Sequence, residues 1–390
     1  MKRIALGIDC WYPQVDGVTN VVTNYHRQLS KEHECRLIAP SYGKKLDDEG
    51  EREYFAEVFH NRSLKVPFIG FRNSIPAKDK KLKKMLDEFK PEILHTHSPF
   101  AISAFFSKYG KKHGIPVVYT FHTKYKDDIK RVSHSRLITA ITMSCIKRHI
   151  FHADYVWAVS EYAAKVLRAY GYSGKIRVIP NATDLKPLSP EERKKHAATI
   201  DEKFALDENE IILMYVGRVV KVKNLGFSFR TLSILKQSGF KCRMMVVGGG
   251  DIKLHKKMAR KAGVENEVIF TGPVFDREQL TAYYSRANLF LMPSTFDTYG
   301  LVVVEAGVCG TPSLVAENSS SSEMIEDGVT GYVEALDEKK WANRITEIFG
   351  GAAPTVDSRS IGVSWETRMK EVNSAYEEVI ADYNSRRNGV

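Results

Sequence analysis

Short apolar runs alternate with stretches in which apolar residues recur every three or four positions, in both halves of the sequence. Arg3–Asp9, Glu34–Ala39, Ile93–His97, Val117–Phe121, Tyr155–Val159 and Ile176–Pro180 are brief, β-branched or aromatic, and bounded by turn residues, which predicts strands. Val18–Ser30, Lys78–Lys90 and Arg136–His152 carry helical spacing. The second half repeats the scheme, with strands expected at Ile211–Gly217, Arg243–Gly248, Val268–Gly272, Leu289–Met292 and Ser313–Ala316. Helices are expected there at Leu225–Gln237, Leu254–Ala262, Arg277–Ala287 and Leu301–Cys309. Repeated strand–helix alternation predicts an α/β fold whose parallel sheets are covered on both faces. Pro187, Pro190 and a charged stretch break the alternation over Pro180–Asp207. The expectation is therefore two facing doubly wound, Rossmann-like domains, residues 1–185 and 186–360, and a last helix, Trp365–Tyr383, within 361–390. Ligands of such domains are expected at the carboxyl ends of the strands, in the cleft between the domains.

Charge adds a second layer. The net charge is +11. Residues 1–185 hold 31 Lys and Arg against 19 Asp and Glu, whereas residues 186–390 hold 27 against 28, so the whole surplus lies in the first half. A one-sided basic surface suggests an anionic neighbour, either a membrane leaflet or an acidic glycan. No nucleic-acid-binding motif accompanies the charge, so nucleic acid is not an expected partner. No apolar run reaches the length of a membrane span, and Met1-Lys2-Arg3 leads directly into a strand-like segment, not a signal peptide. Five scattered cysteines without a C-x-x-C pair predict reduced thiols in a cytoplasmic protein and argue against a metal knuckle. The basic stripe Lys78–Lys90, with Leu82, Met85, Leu86 and Phe89 at helical spacing, is a candidate membrane-surface helix. An ordinary sheet-covering helix is its competitor.

Candidate chemistry gathers at predicted strand ends. The run Pro293 to Ala306 places Asp297 and Glu305 eight residues apart, and a helix joining them would separate the carboxylates by about 12 Å. The turn Thr298, Tyr299, Gly300 and Leu301 is expected to present free backbone N–H groups to a diphosphate or to sugar hydroxyls. Gly217-Arg218 and Lys223-Asn224 bracket a loop whose two cations suit a departing diphosphate. Gly17 precedes a helix in Tyr12–Val22, and His122 ends a strand in Thr120-Phe121-His122-Thr123. His95 and His97 are read as lying on opposite faces of one strand, lining a cleft or packed in the core. Val247-Gly248-Gly249-Gly250-Asp251 lacks the last glycine of a dinucleotide fingerprint because Lys253 stands there. No Asp-x-Asp pair occurs, which fits a reaction without a divalent cation.

The order of these motifs closely resembles the retaining glycosyltransferases of family 4, with Asp297 where that family usually has Glu. The resemblance covers nearly the whole chain and implies the two-domain GT-B fold, with the C-terminal helix crossing back to the first domain. It implies that Asp297 grips the sugar with Thr298–Leu301, that Glu305 holds the ribose, and that Arg218 and Lys223 stabilise the leaving diphosphate. It further implies that Gly17 faces the donor phosphate, that His122 orients the sugar, and that the glycine turn at Gly248–Gly250 packs beside the base. A weaker similarity, to bacterial diacylglycerol glucosyltransferases, rests on Val66–Pro76 and His122–Asp128. The activity expected is metal-independent transfer of a hexose, most simply glucose from UDP-glucose, to a membrane lipid such as diacylglycerol. Such an enzyme would need no cofactor and would work in the cytoplasm, peripherally on the inner face of the cell membrane. Transfer to a soluble or polysaccharide acceptor, a nucleotide-sugar epimerase on the same fold, and a non-catalytic binding module are the rival readings.

Overall fold

The computed structural model describes residues 1–13, 17–54, 56–65, 72–133, 135–274 and 276–389. The chain divides into two units, Met1–Asn181 with Trp365–Val390, and Ala182–Ser364.

The strands of the first unit are β1 (Arg3–Gly7), β2 (Glu34–Pro40), β3 (Val58–Asn61), β4 (Ser63–Lys65), β5 (Arg72–Ser74), β6 (Ile93–Thr96), β7 (Val117–Phe121), β8 (Tyr155–Ala158) and β9 (Ile176–Val178). Its helices are α1 (Gly17–Leu29), α2 (Lys44–Tyr54), α3 (Lys80–Phe89), α4 (Ala101–His113), α5 (Tyr125–Ser133), α6 (Arg136–Phe151) and α7 (Glu161–Ala169). Seven strands form a parallel sheet in the order β3-β2-β1-β6-β7-β8-β9, while β4 and β5 pair antiparallel beside it as a separate ribbon. The central strands β6 and β7 are buried throughout, as fully covered parallel strands must be.

The second unit comprises α8 (Pro190–Phe204), β10 (Ile212–Val216), α9 (Leu225–Gln237), β11 (Arg243–Val247), α10 (Ile252–Lys261), β12 (Val268–Gly272), α11 (Arg277–Arg286), β13 (Leu289–Met292), α12 (Leu301–Val308), β14 (Ser313–Ala316), β15 (Tyr332–Glu334) and α13 (Glu338–Phe349). Its parallel sheet runs β12-β11-β10-β13-β14-β15. Apolar clusters fill both faces, one around Phe229 and Trp341, the other around Tyr283, Phe290 and Val303. A last helix, α14 (Trp365–Asn388), belongs to the first unit, where the Tyr376 hydroxyl lies 2.6 Å from His95 Nδ1. Both sheets have the doubly wound order, which the alternation of elements predicted.

One local expectation is corrected, and one pair of alternatives is decided. Residues 190–204 are not a break but α8: Pro190 occupies the first helical turn, where a missing N–H costs nothing, and Ser189 with Glu192 closes a capping box. The apolar stripe of α3 faces inward, with Leu82 and Leu86 fully buried, so its lysines are the solvated side of a sheet-covering helix. Of the segment Val66–Pro76, residues 66–71 lie outside the described residues.

Candidate active site

In the second sheet the strand order reverses between β10 and β13, and a doubly wound sheet binds ligands beyond the carboxyl ends at such a point. β10 runs into Gly217 and Arg218, then a 3₁₀ turn at Lys221–Lys223, and Asn224 at φ 58° turns the chain into α9. β13 runs into Pro293 and reaches Asp297 before α12 begins. Asn224 ties the two loops together, its side-chain amide donating to the Pro293 carbonyl at 3.2 Å. Lys223 Nζ then donates to Asp297 Oδ1. The side chains of both are largely buried, at 14% and 18% exposure, and Asp297 Oδ2 is buried without a hydrogen-bond partner. An unpaired buried acceptor of this kind costs about 1–3 kcal/mol, which a donor hydroxyl would recover. Arg218 stands exposed with no ion pair among the described residues, and its carbonyl accepts from the Tyr215 hydroxyl at 3.1 Å.

The glycine turn after β11 has a reason internal to the fold. A Cβ on Gly248 would lie 1.9 Å from the Gly217 carbonyl oxygen, and one on Gly250 would lie 2.5 Å from that of Val219. Both have φ near 140°, a region closed to side-chain-bearing residues. Val219 N–H donates to Gly249 O at 2.8 Å and Asp251 N–H to Val219 O at 2.9 Å. The turn clamps the Arg218–Lys223 loop by its backbone.

Glu305 lies in α12 and is 5% exposed. Its Oε1 accepts from Arg277 Nη2 at 2.9 Å and its Oε2 from the Tyr284 hydroxyl at 2.9 Å. Arg277 also donates to Asp184. Burial pulls the Arg277 pKa down, but Glu305 and Asp184 outweigh it and hold the guanidinium more firmly charged than usual. Burial, then Glu305, pushes the Tyr284 hydroxyl well above its ordinary range.

The helical spacer expected between Asp297 and Glu305 is only half formed. α12 starts at Leu301, so Thr298, Tyr299 and Gly300 make a bend. Leu301 N–H is not free, since it donates to the Tyr299 carbonyl at 3.0 Å. Gly300 caps α12 without a side-chain bond and sits against Ser321, whose Oγ would be 2.3 Å from a Cβ there.

His122 and Gly17 belong to the first unit. Gly17 is exposed at the start of α1, and residues 14–16 of its loop lie outside the described residues. His122, past the end of β7, is 7% exposed, and its Nε2 lies 2.9 Å from His97 Nδ1. His95 Nε2 lies 2.7 Å from Thr120 Oγ1. The His95 and His97 rings are 4.1 Å apart, so they share one face of the chain, which overturns the opposite-face reading. Residues two apart on a strand point the same way. Burial lowers the pKa of all three histidines, that of His122 to about 3, and keeps them neutral near pH 7.

Residues 15–186 match the sequence profile of Glycosyltransferase Family 4, and residues 197–352 that of Glycosyl transferases group 1. The chain belongs to glycosyltransferase family 4. Among curated relatives, this family 4 glycosyltransferase is 25% identical over 395 residues to an alpha-monoglucosyldiacylglycerol synthase of Streptococcus pneumoniae, covering 99% of this chain and 88% of the relative. It is 25% identical over 407 residues to the enzyme of the same name from Acholeplasma laidlawii, covering 99% of each. Its fold is that of Anabaena HepE solved with UDP-glucose, with a TM-score of 0.66, 17% identity and coverage of 99% and 100%. A glycosyltransferase of Rickettsia africae superposes with a TM-score of 0.70 at 18% identity, covering 97% and 99%. Both confirm the GT-B architecture of this glycosyltransferase.

Sequence reading missed Asp184, Arg277 and Tyr284. The one signal available was a carboxylate on the strongly apolar helix Leu301–Val308, which must find a cation or donors when buried. The partner's position 28 residues earlier follows no local period.

Proposed function

We propose that this glycosyltransferase transfers glucose from UDP-glucose to diacylglycerol, with retention of configuration and without a metal ion. The observation that carries the donor side is the Lys223–Asp297 pair at the switch point of the second sheet, with one carboxylate oxygen left unpaired. The lipid acceptor and the glucosyl group are supported by the two monoglucosyldiacylglycerol synthases aligned over 99% of the chain.

In this reading Asp297 Oδ2 accepts a sugar hydroxyl, and Glu305 uses its remaining lone pairs for the ribose hydroxyls. Lys223 keeps two of its three donors for the diphosphate, and Arg218 supplies a planar fork to it. Gly17 faces the donor phosphate, and the neutral His122 imidazole orients the sugar. The bond from the anomeric carbon to the diphosphate breaks, and the lipid hydroxyl oxygen bonds to that carbon on the same face. The hydroxyl proton passes to the departing phosphate oxygen, so products are glycolipid and UDP. The enzyme acts from the cytoplasm as a peripheral protein; no helix among the described residues is long and apolar enough to cross a membrane.

The test is UDP release from several donors with diacylglycerol vesicles, soluble sugars or no acceptor. Release from UDP-glucose should require diacylglycerol. Equal release with soluble sugars rejects the lipid acceptor, and conversion of the donor without acceptor indicates an epimerase. Excess EDTA should leave turnover within about twofold, because side-chain cations do the work of a metal; a larger loss restored by Mg²⁺ rejects metal independence.

Glu305→Ala should weaken UDP binding by about 10- to 100-fold, the worth of hydrogen bonds to a charged group. Tyr284→Phe removes one support of Glu305 and should largely retain affinity. Calorimetry on both separates ligand contact from loss of support, and unchanged affinity in Glu305→Ala excludes the ribose role.

A further inference from the structure

α6 is apolar on two opposite sides. Thr139, Met143, Ile146 and Ile150 are buried against the first unit. Leu137, Ile138 and Ile141 are 71%, 52% and 58% exposed. At about 100° per residue Leu137 and Ile141 point away from the buried set, and Ile138 lies at the flank of their face. With Phe151, they make four of the nine large hydrophobic side chains exposed among the described residues, all on one helix. Scattered exposed aliphatics need no explanation, but a clustered second face on an already packed helix does.

Charge selects the occupant. α6 carries Arg136, Lys147 and Arg148 and no acidic residue. Arg136 and Arg148 are exposed, as are Lys126 and Lys130 on α5, which packs against α6; the exposed Asp127 is an acidic neighbour on α5. An isologous contact with a second copy would set these cations against their own mates, whereas an anionic leaflet attracts them. At 16 residues, about 24 Å, α6 is too short and too charged to span a bilayer, but suits lying in its interface.

Position gives the contact a purpose. α5 starts three residues after His122, beyond the carboxyl end of β7. His149 Nδ1 lies 2.9 Å from the Pro99 carbonyl, in the loop that follows β6. α6 therefore flanks the end of the sheet that holds His122.

We infer that α6 docks this unit on an anionic lipid surface, with Leu137, Ile138 and Ile141 entering the acyl boundary and Arg136 and Arg148 among the lipid phosphates. The inference deepens the lipid-acceptor reading, but vesicle binding is measured without turnover, so each can fail alone. The full chain would be sedimented with phosphatidylcholine vesicles, with and without phosphatidylglycerol. It should bind the anionic vesicles more tightly, and the triple variant L137Q/I138Q/I141Q should lower that partition by about tenfold or more. The variant's melting temperature should match the parent's, and its UDP release with detergent-dispersed diacylglycerol should persist. Equal partition of variant and parent, or no binding by the parent to either vesicle, overturns the inference. So does a parent dimer that the substitutions make monomeric, which would assign the face to a second copy.

Discussion

Lys223→Ala should lower kcat/KM for the nucleotide sugar by about a thousandfold, at the upper end of losses seen when one preorganised charge-stabilising donor is removed. The loss should fall mainly on kcat, because charge on the diphosphate grows as the sugar departs and is greatest in the transition state. The lysine is preorganised for this. Its neighbour Asn224 fixes the loop to the Pro293 carbonyl, and the Asp297 carboxylate holds the ammonium in place. Removing it also strips Asp297 of the cation it pairs with while Oδ2 already lacks a partner, so a modest drop in melting temperature accompanies the kinetic loss. Lys223→Ala/Asp297→Ala separates the two effects. If the pair acts as a unit, the double variant is far less impaired than the product of the single losses. A change in kcat/KM under about fivefold for Lys223→Ala, in a protein that melts normally, would remove the lysine from the mechanism.

The strands that bear these residues were legible because each is a short apolar run closed by a turn residue. Val117–Phe121, Leu289–Met292 and Ser313–Ala316 match to the residue. The site was legible as pairs of motifs and not as contacts. Asp297 and Lys223 stand at the ends of adjacent strands, so topology brings them together; the bond between Glu305 and Arg277 depends on side-chain packing that no spacing encodes. Helix faces show the same divide. The stripe of α3 revealed a helix but could not say whether core or lipid covers it, and Leu82 and Leu86 are in the core. In α6 apolar residues occur all round, so periodicity gave no direction, and only burial distinguished Met143 and Ile146 from Leu137 and Ile141. α8 was misread because Pro190 was weighed as a breaker, when Ser189 and Glu192 made it a helix start.

Acid should unfold the first unit. Burial, reinforced by their mutual proximity for His95 and His97, keeps His95, His97 and His122 neutral in the folded state well below the usual histidine range. The unfolded chain takes up three protons as pH falls through about 6.5, while the folded unit does not. Each histidine thus removes about 1.4 kcal/mol of stability per pH unit below that point. Asp9 acts in the opposite sense. Burial, against the N–H of Ile102, pushes its carboxyl up to about 7, so the folded state holds a proton that the unfolded chain lacks, and acidification favours folding there. Burial also lowers His26 and raises Asp154, and these two oppose each other. Three protons against one leave two, or about 5 kcal/mol lost between pH 6.5 and 4.5. That is a large part of the about 5–15 kcal/mol that holds a domain folded. Trp11, Trp157 and Trp365 report on the first unit, and Trp341→Phe removes the one tryptophan of the second. In that variant the fluorescence melting temperature should drop by about 10–20 °C over this interval. His97→Asn should roughly halve the slope against pH, whatever its effect on absolute stability. A flat melting temperature from pH 6.5 to 4.5 would mean that the three imidazoles take up protons while still folded, and the neutral role given to His122 would fall with it.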